Sequence, residues 1–241
     1  MLSSTRLHGC LRAIYGRLWR LGPNHTLNHF SVTGDPLYEP VGRWPILFPV
    51  VDVVNFNFSH LPGSYAVCLE TSEPGGGRPS PDANPELLGQ VYVGPYLVRH
   101  PELASIAVDN HGVAGYFLAT TNSVDFWQWC EANWWPTLRQ QYPLTGSNDW
   151  NGQVIELIHN PPTAPPEIAE KYPAHFHIDL LPRAQGGGLA RRLIDNFVRS
   201  AGVGVHLDVG KDNAKAIAIY HHLGFEIVGE APESFYMAKF G

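Results

Sequence analysis

Ala174-His175-Phe176-His177-Ile178-Asp179-Leu180-Leu181-Pro182-Arg183-Ala184-Gln185-Gly186-Gly187-Gly188-Leu189 decides the fold of this chain, and the residues onward to Gly202 complete the unit. Residues 175–181 alternate in type. Phe176, Ile178 and Leu180 fall on one face of a strand, and His175, His177 and Asp179 on the other. Pro182 ends the strand, and residues 183–188 form a glycine-rich turn. Leu189, Leu193, Ile194, Phe197 and Val198 then recur at helical spacing, and Gly202 suits a helix end. A strand, a glycine turn and a helix N-terminus make an anion site. The first helical amides lack internal partners, and glycines let them approach a phosphate. Arg183, Arg191 and Arg192 add positive charge. The spacing Arg183-x-x-Gly186-x-Gly188 is neither that of a P-loop nor that of a dinucleotide-binding Gly-x-Gly-x-x-Gly turn.

Downstream, residues 204–209 predict a second strand, in which Val205, Leu207 and Val209 alternate with His206 and Asp208. Asp212 or Asn213 caps a helix through Leu223, with Gly224 ending it. Strands at 227–228 and 235–240 close the chain. Upstream, a strand is expected within 50–58, a helix over 61–71, a flexible loop through Gly75–Gly77 to Pro81, and a helical stretch within 85–98. Asp109-Asn110-His111-Gly112 is turn chemistry between the apolar runs 103–108 and 113–120, which predicts a hairpin. Residues 124–141 read as one helix carrying Phe126, Trp127, Trp129, Trp134 and Trp135 as core. Residues 142–174 read as irregular and proline-rich, with one short helix near 154–158.

The chain has 241 residues, 44% of them hydrophobic and 16% charged, enough for one substantial domain with an extension. No apolar run approaches membrane-helix length. A formal charge of −6 argues against nucleic-acid binding. Cys10, Cys68 and Cys130 are widely spaced and show neither disulfide nor zinc spacing. None of the twelve histidines sits in a linear metal-ligand pattern, so no metal is expected. Residues 1–34 carry four arginines and no acid, with Leu7, Leu11, Ile14, Leu18 and Leu21 at helical steps. This basic amphipathic arm fits a transit peptide, a disordered arm or an upstream stretch added by an imprecise gene model. Without its four arginines, the formal charge of −6 becomes −10. Residues 1–54 are therefore read as a basic arm and proline-rich linker, and 55–241 as the domain. The expected location is cytoplasmic, or mitochondrial if residues 1–34 are a transit peptide.

A second motif, Asn213-Ala214-Lys215-Ala216 followed by Tyr220 and Gly224-Phe225, stands with the first. The pair resembles the two signatures of the GNAT acyltransferase superfamily, Arg/Gln-x-x-Gly-x-Gly/Ala and Asn-x-x-Ala-x-x-x-Tyr-x-x-x-Gly-Phe, in family order and typical separation. Within that superfamily, 85–96, 112–116, 134–136 and 172–182 resemble bacterial and fungal members related to the C-terminal, histone-acetyltransferase-like domain of O-GlcNAcase. The family's usual first strand, of Ile-Arg-Pro-Ala-Thr type, is not recognisable in 50–58.

The resemblance implies an α/β fold with a mixed central sheet, splayed between two parallel strands and flanked by helices. It implies acetyl-CoA as cofactor, bound by Ile178, Leu180, Leu181, Arg183, Gln185, Gly186, Gly187, Gly188, Leu189, Ala190, Asn213 and Tyr220. It also implies direct transfer to an amine acceptor, on a lysine-bearing protein or a small molecule. Pantetheine would pair along 178–181, and an amide of Leu180 or Leu181 would polarise the thioester carbonyl. An attacking ammonium must lose a proton. Asp179 and Asp208 are the candidate bases, because each alternates with apolar neighbours in one of the two parallel strands. His175, His177 and His206 are secondary candidates, and Tyr220 is the acid for the leaving thiolate. The rival reading is a catalytically inactive binding module of the same fold.

Overall fold

The computed structural model describes residues 51–72 and 79–241. The expected basic arm, most of the proline-rich linker and the loop glycines 75–77 lie outside the described residues. One seven-stranded sheet organises the rest, in the order β1-β2-β3-β4-β5-β7-β6. Its strands are β1 (Asp52–Asn55), β2 (Ser105–Asp109), β3 (Gly112–Thr120), β4 (Ala174–Leu180), β5 (Val205–Gly210), β6 (Glu226–Glu230) and β7 (Ser234–Lys239). Every neighbouring pair is antiparallel except β4 and β5 at the centre. β1 lies where the family's first-strand sequence was not recognisable, and it pairs with β2 from Asp52↔Val108 to Asn55↔Ser105. Residues 52–54 therefore belong to the sheet, ahead of the boundary drawn at 55.

Helices α1 (Leu61–Thr71), α2 (Leu87–Tyr92), α3 (Gly94–Arg99), α4 (Ser123–Trp129), α5 (Trp135–Gln141) and α6 (Trp150–His159) contribute to a core with Ile106, Tyr116 and Leu118. A second core, holding Phe117, Ala119, Phe176, Leu207 and Met237, packs with α8 (Leu189–Ala201) and α9 (Ala214–His222). β3 alternates between the two cores, so residues 114–119 are apolar without a break. The α8 stripe is wholly inside, with Leu189, Leu193, Ile194, Phe197 and Val198 each at most 7% exposed. Burial stabilises by about 1.5–3 kcal/mol for each such side chain.

Two elements differ from the sequence expectation. The helix expected over 124–141 is interrupted by a π-helical turn at Cys130–Trp134. Pro136 follows, with no N–H to give, and the Asn133 side-chain amide donates to the Trp129 carbonyl at 3.0 Å. The four tryptophans, as expected, belong to the core or its margin. Within the supposedly irregular 142–174, α6 is longer than expected, and α7 (Pro166–Lys171) forms as well. Pro166 occupies the first turn of α7, where its missing N–H costs nothing, so prolines read as breakers include a helix start.

The helix layer that covers one side of the sheet also covers the polar face of β4, so those polar groups need partners. His175, 8% exposed, has Tyr96 Oη at 2.7 Å from Nε2 and Ser123 Oγ at 2.6 Å from Nδ1. Ser123 donates to the Pro173 carbonyl, so it accepts from Nδ1–H. His175 is thus a neutral structural residue, its pKa lowered by burial and by the neighbouring histidines. His206 Nδ1 donates to the Tyr172 carbonyl at 2.6 Å.

Gly115 lets β3 and β4 lie close: a Cβ there would come within 2.4 Å of Leu180 Cδ2 and 2.7 Å of the Asp179 carbonyl oxygen. Gly115→Ala is expected to destabilise the domain by about 1–3 kcal/mol. A lower urea midpoint at unchanged slope checks this, and an unchanged midpoint would contradict it.

Candidate active site at the split between two parallel strands

The described residues hold only two β4–β5 pairs, Ala174↔Val205 and His175↔His206. Beyond them the strands part, and a cavity of about 110 Å³ opens in the gap. Its walls bring together Ile178, Asp179, Asp208, Asn213, Tyr220 and His177, all named from sequence, with Cys68, Thr71 and Tyr92. Backbone parity decides which groups face the gap. The Leu181 amide donates to the Ala114 carbonyl of β3 at 2.8 Å, and the Ala174 amide donates to Gly204 on the β5 side at 3.0 Å. Alternation therefore turns the amides and carbonyls of Ile178 and Leu180 toward the gap. This corrects the expectation for Leu181: its amide is committed to β3 and its side chain is 3% exposed, which leaves Leu180 as the candidate amide.

The turn after β4 begins with a 3₁₀ turn at Pro182–Ala184. Gly186 and Gly188 have φ of +91° and +73°, and added Cβ atoms would meet nothing within 4 Å. Glycine is required there by backbone conformation, not by crowding. The Arg192 amide donates to the Gly188 carbonyl at 3.0 Å, so the amides of Leu189 to Arg191 precede the helix's internal ladder.

Two expected cofactor residues are engaged otherwise. Arg183 Nε donates to Asp109 Oδ2 at 2.7 Å and Nη2 to the Val113 carbonyl at 2.8 Å, tying the turn to the β2–β3 hairpin. The Gln185 amide donates to the Pro182 carbonyl, and its side chain donates to the Leu180 carbonyl at 2.8 Å. Asn213, not Asp212, caps α9, accepting from the Ala216 amide at 3.1 Å.

The two aspartates sit in opposite surroundings. Asp179 Oδ2 accepts from Tyr116 Oη and lies 3.2 Å from His177 Nε2, and Tyr116 stands opposite Asp179 in the β3–β4 register. Burial pushes the Asp179 pKa up, but His177, Tyr116 and Thr71 together bring it below the ordinary value. His177 is stacked between Tyr92 and Tyr116, with ring centroids 5.4 and 5.6 Å away. Asp208, by contrast, has its Oδ1 buried without a partner. Burial raises its pKa, offset only in part by Ser234 and the Val209 amide. Tyr220 packs edge-on against Phe176 and Phe225, and burial first, then Asp179, raises its phenol pKa.

Sequence reasoning missed Cys68, Thr71 and Tyr116. They reach the site from α1 and β3, and only the β3–β4 register signals Tyr116. No helix among the described residues is long and apolar enough to cross a membrane.

Asp208 has a folded pKa above its unfolded one. Its contribution to stability is therefore full below the ordinary carboxylate range and is lost as pH rises through the raised value. Asp208→Asn is expected to raise the melting temperature by a few degrees at neutral pH, with the gain fading as pH falls toward the ordinary carboxylate pKa. A gain that grew on acidification would contradict this sign.

Comparison with known proteins fits this geometry. The Acetyltransferase (GNAT) family model matches residues 127–225. The solved structure of SsHAT aligns at 30% identity with a TM-score of 0.71, covering 79% of this chain and 98% of that one. Protein O-GlcNAcase of Rattus norvegicus and of Mus musculus are each 23% identical over 172 residues, which is 68% of this chain but 19% of either relative. An uncharacterised Mycobacterium leprae protein, ML0378, is 36% identical over 80 residues, 33% of this chain and 20% of that protein. The chain thus spans a small part of the curated relatives it matches. With the split sheet, the glycine turn and Tyr220 all in place, the chain belongs to the GNAT acetyltransferase family.

Proposed function

We propose that this protein transfers the acetyl group of acetyl-CoA to a primary amine, by direct attack of the amine while both substrates are held at the β4–β5 split. The observation that carries this reading is the split itself: two parallel strands pair twice and then part over a cavity lined by Asp208, Tyr220 and Ile178. Acetyl-CoA supplies an activated acetyl thioester, and the residues around it fit. The glycine turn offers amides with no Cβ in the way of a pyrophosphate. The gap-facing edge of Ile178 and Leu180 offers a strand for the pantetheine amides. Holding amine and thioester together removes much of the entropy of encounter.

The Leu180 amide donates toward the thioester carbonyl oxygen as negative charge grows there. Asp208 is the stronger base candidate. Its Oδ1 has no partner and its pKa is raised, whereas Asp179 is held by Tyr116 and His177. Tyr220 shares the cavity and is the proton donor to the leaving thiolate; burial first, and then Asp179, raises its phenol pKa, so it enters the reaction protonated. A larger hollow of about 590 Å³ borders α1, lined by Leu61, Tyr65 and Leu69 with Glu70 and Glu86. Its two carboxylates suit a cationic group, and because it shares no lining residue with the β4–β5 cavity it would hold a part of the acceptor away from the reacting amine.

Calorimetric titration with acetyl-CoA tests the cofactor half. Wild type is expected to bind, and Gly186→Glu with Gly188→Glu to lose binding while staying folded. Folded wild type that does not bind would overturn the reading. Tyr220→Phe tests the chemical half: kcat on a lysine peptide is expected to fall roughly 10²-fold, within the usual range for a general acid, at unchanged acetyl-CoA affinity. Tight binding with no turnover on peptides or small amines would instead favour the inactive module.

A further inference from the structure

Cys68, His177 and Asp179 each offer one donor atom, and these atoms all lie within 4.8 Å of one another. We infer that this cluster is a site for a single borderline-soft divalent cation, zinc by its chemistry, held in the wall of the β4–β5 cavity. Nothing in the linear spacing reveals it. His177 and Asp179 are two apart on one face of β4, and the third donor comes from the middle of α1, distant in sequence.

Three features argue for a metal over a chance cluster. The donors sit on a strand and a helix packed against it, so their backbones are fixed and only side-chain adjustments are needed. Tetrahedral zinc with bonds of about 2.0–2.3 Å places its ligands about 3.3–3.8 Å apart, so the present spacing closes by small rotamer shifts. The charges also close: one thiolate and one carboxylate neutralise a divalent ion in a buried site, with a neutral imidazole as third ligand. A cavity water completes the four. The Tyr116 hydroxyl, bonded to Asp179 Oδ2 and 3.1 Å from His177 Nε2, touches the donor atoms themselves, so the metal displaces it from them on binding. The thiolate excludes magnesium and calcium, which take oxygen ligands.

Binding is balanced as an exchange. The Cys68 S–H bond breaks, an S–metal bond forms, and the proton leaves to solvent; no oxidant or reductant is involved. Cys68 is buried and unbridged, and its thiol exchanges its side-chain hydrogen bond with Tyr116 for the metal. If acetyl transfer uses this cavity as proposed, the loaded form places a cation beside the attacking amine and occupies Asp179 and His177. Zinc then acts as a reversible brake on the reaction.

Cobalt(II) titration of the metal-free protein tests the site independently of activity. The expected result is a tetrahedral ligand-field spectrum with thiolate-to-cobalt charge transfer, displaced by stoichiometric zinc. Cys68→Ser is expected to abolish the charge-transfer band and weaken binding at least tenfold, the least that loss of even an outer partner costs. His177→Gln guards against a misfolded cysteine variant and is expected to weaken binding as much, with melting temperature checked for both. No cobalt spectrum, or one that Cys68→Ser leaves unchanged, would overturn the site. Acetyl-CoA titration of the same metal-free sample keeps the two readings separate: acetyl-CoA binding without a cobalt spectrum would sink the metal site and leave the acetyltransferase standing.

Discussion

The parting of β4 from β5 is the constraint on which the rest of the molecule depends. A central strand pair that stops after two registers leaves backbone amides and carbonyls facing a gap in the middle of the sheet. Buried peptide groups demand partners. The protein meets part of this demand internally: the Gln185 side chain donates to the Leu180 carbonyl. The remaining edge at Ile178 and Leu180 is an open half-ladder, suited to an extended chain of amides such as pantetheine.

The same split sorts the charged groups. Both aspartates are strand residues beside the gap, yet their pKa values are driven in opposite directions. Asp179 is stabilised as an anion by a tyrosine hydroxyl and a histidine, and Asp208 is left with an unpartnered buried oxygen. Two titrating groups pushed apart by their surroundings mark acid–base assignments. Under the proposed acetyl transfer, this division favours Asp208 as the proton acceptor, while burial first and then Asp179 raise the Tyr220 phenol pKa. The unmet demand of Asp208 is a local cost to folding, of the kind functional sites retain.

Much of this was legible in the sequence because it rests on local chemistry. The alternation of residues 175–181, the Arg183-Gly186-Gly188 spacing and the Asn213 cap each encode a backbone shape. The hairpin at Asp109–Gly112 and the α8 stripe were equally local. What escaped depends on register and on distant partners. Nothing local says that the Leu181 amide would face β3 while that of Leu180 faces the gap. Nor does it say that Arg183 would tie down the hairpin. Tyr116 stands in an apolar run and Cys68 in an expected helix, and only pairing with β4 and packing of α1 bring them to Asp179 and His177. Pro166 misled in the other direction, because a proline signals both a break and a helix's first turn.

Residue-resolved amide hydrogen exchange, with and without acetyl-CoA, tests the central claim most directly. The account predicts new protection at the Ile178 and Leu180 amides and at the amides from Gly186 to Arg191. The Leu181 amide, already bonded to Ala114, should change little. Protection confined to other surfaces, with Ile178 and Leu180 exchanging as before, would contradict the claim that the open edge of β4 receives the cofactor.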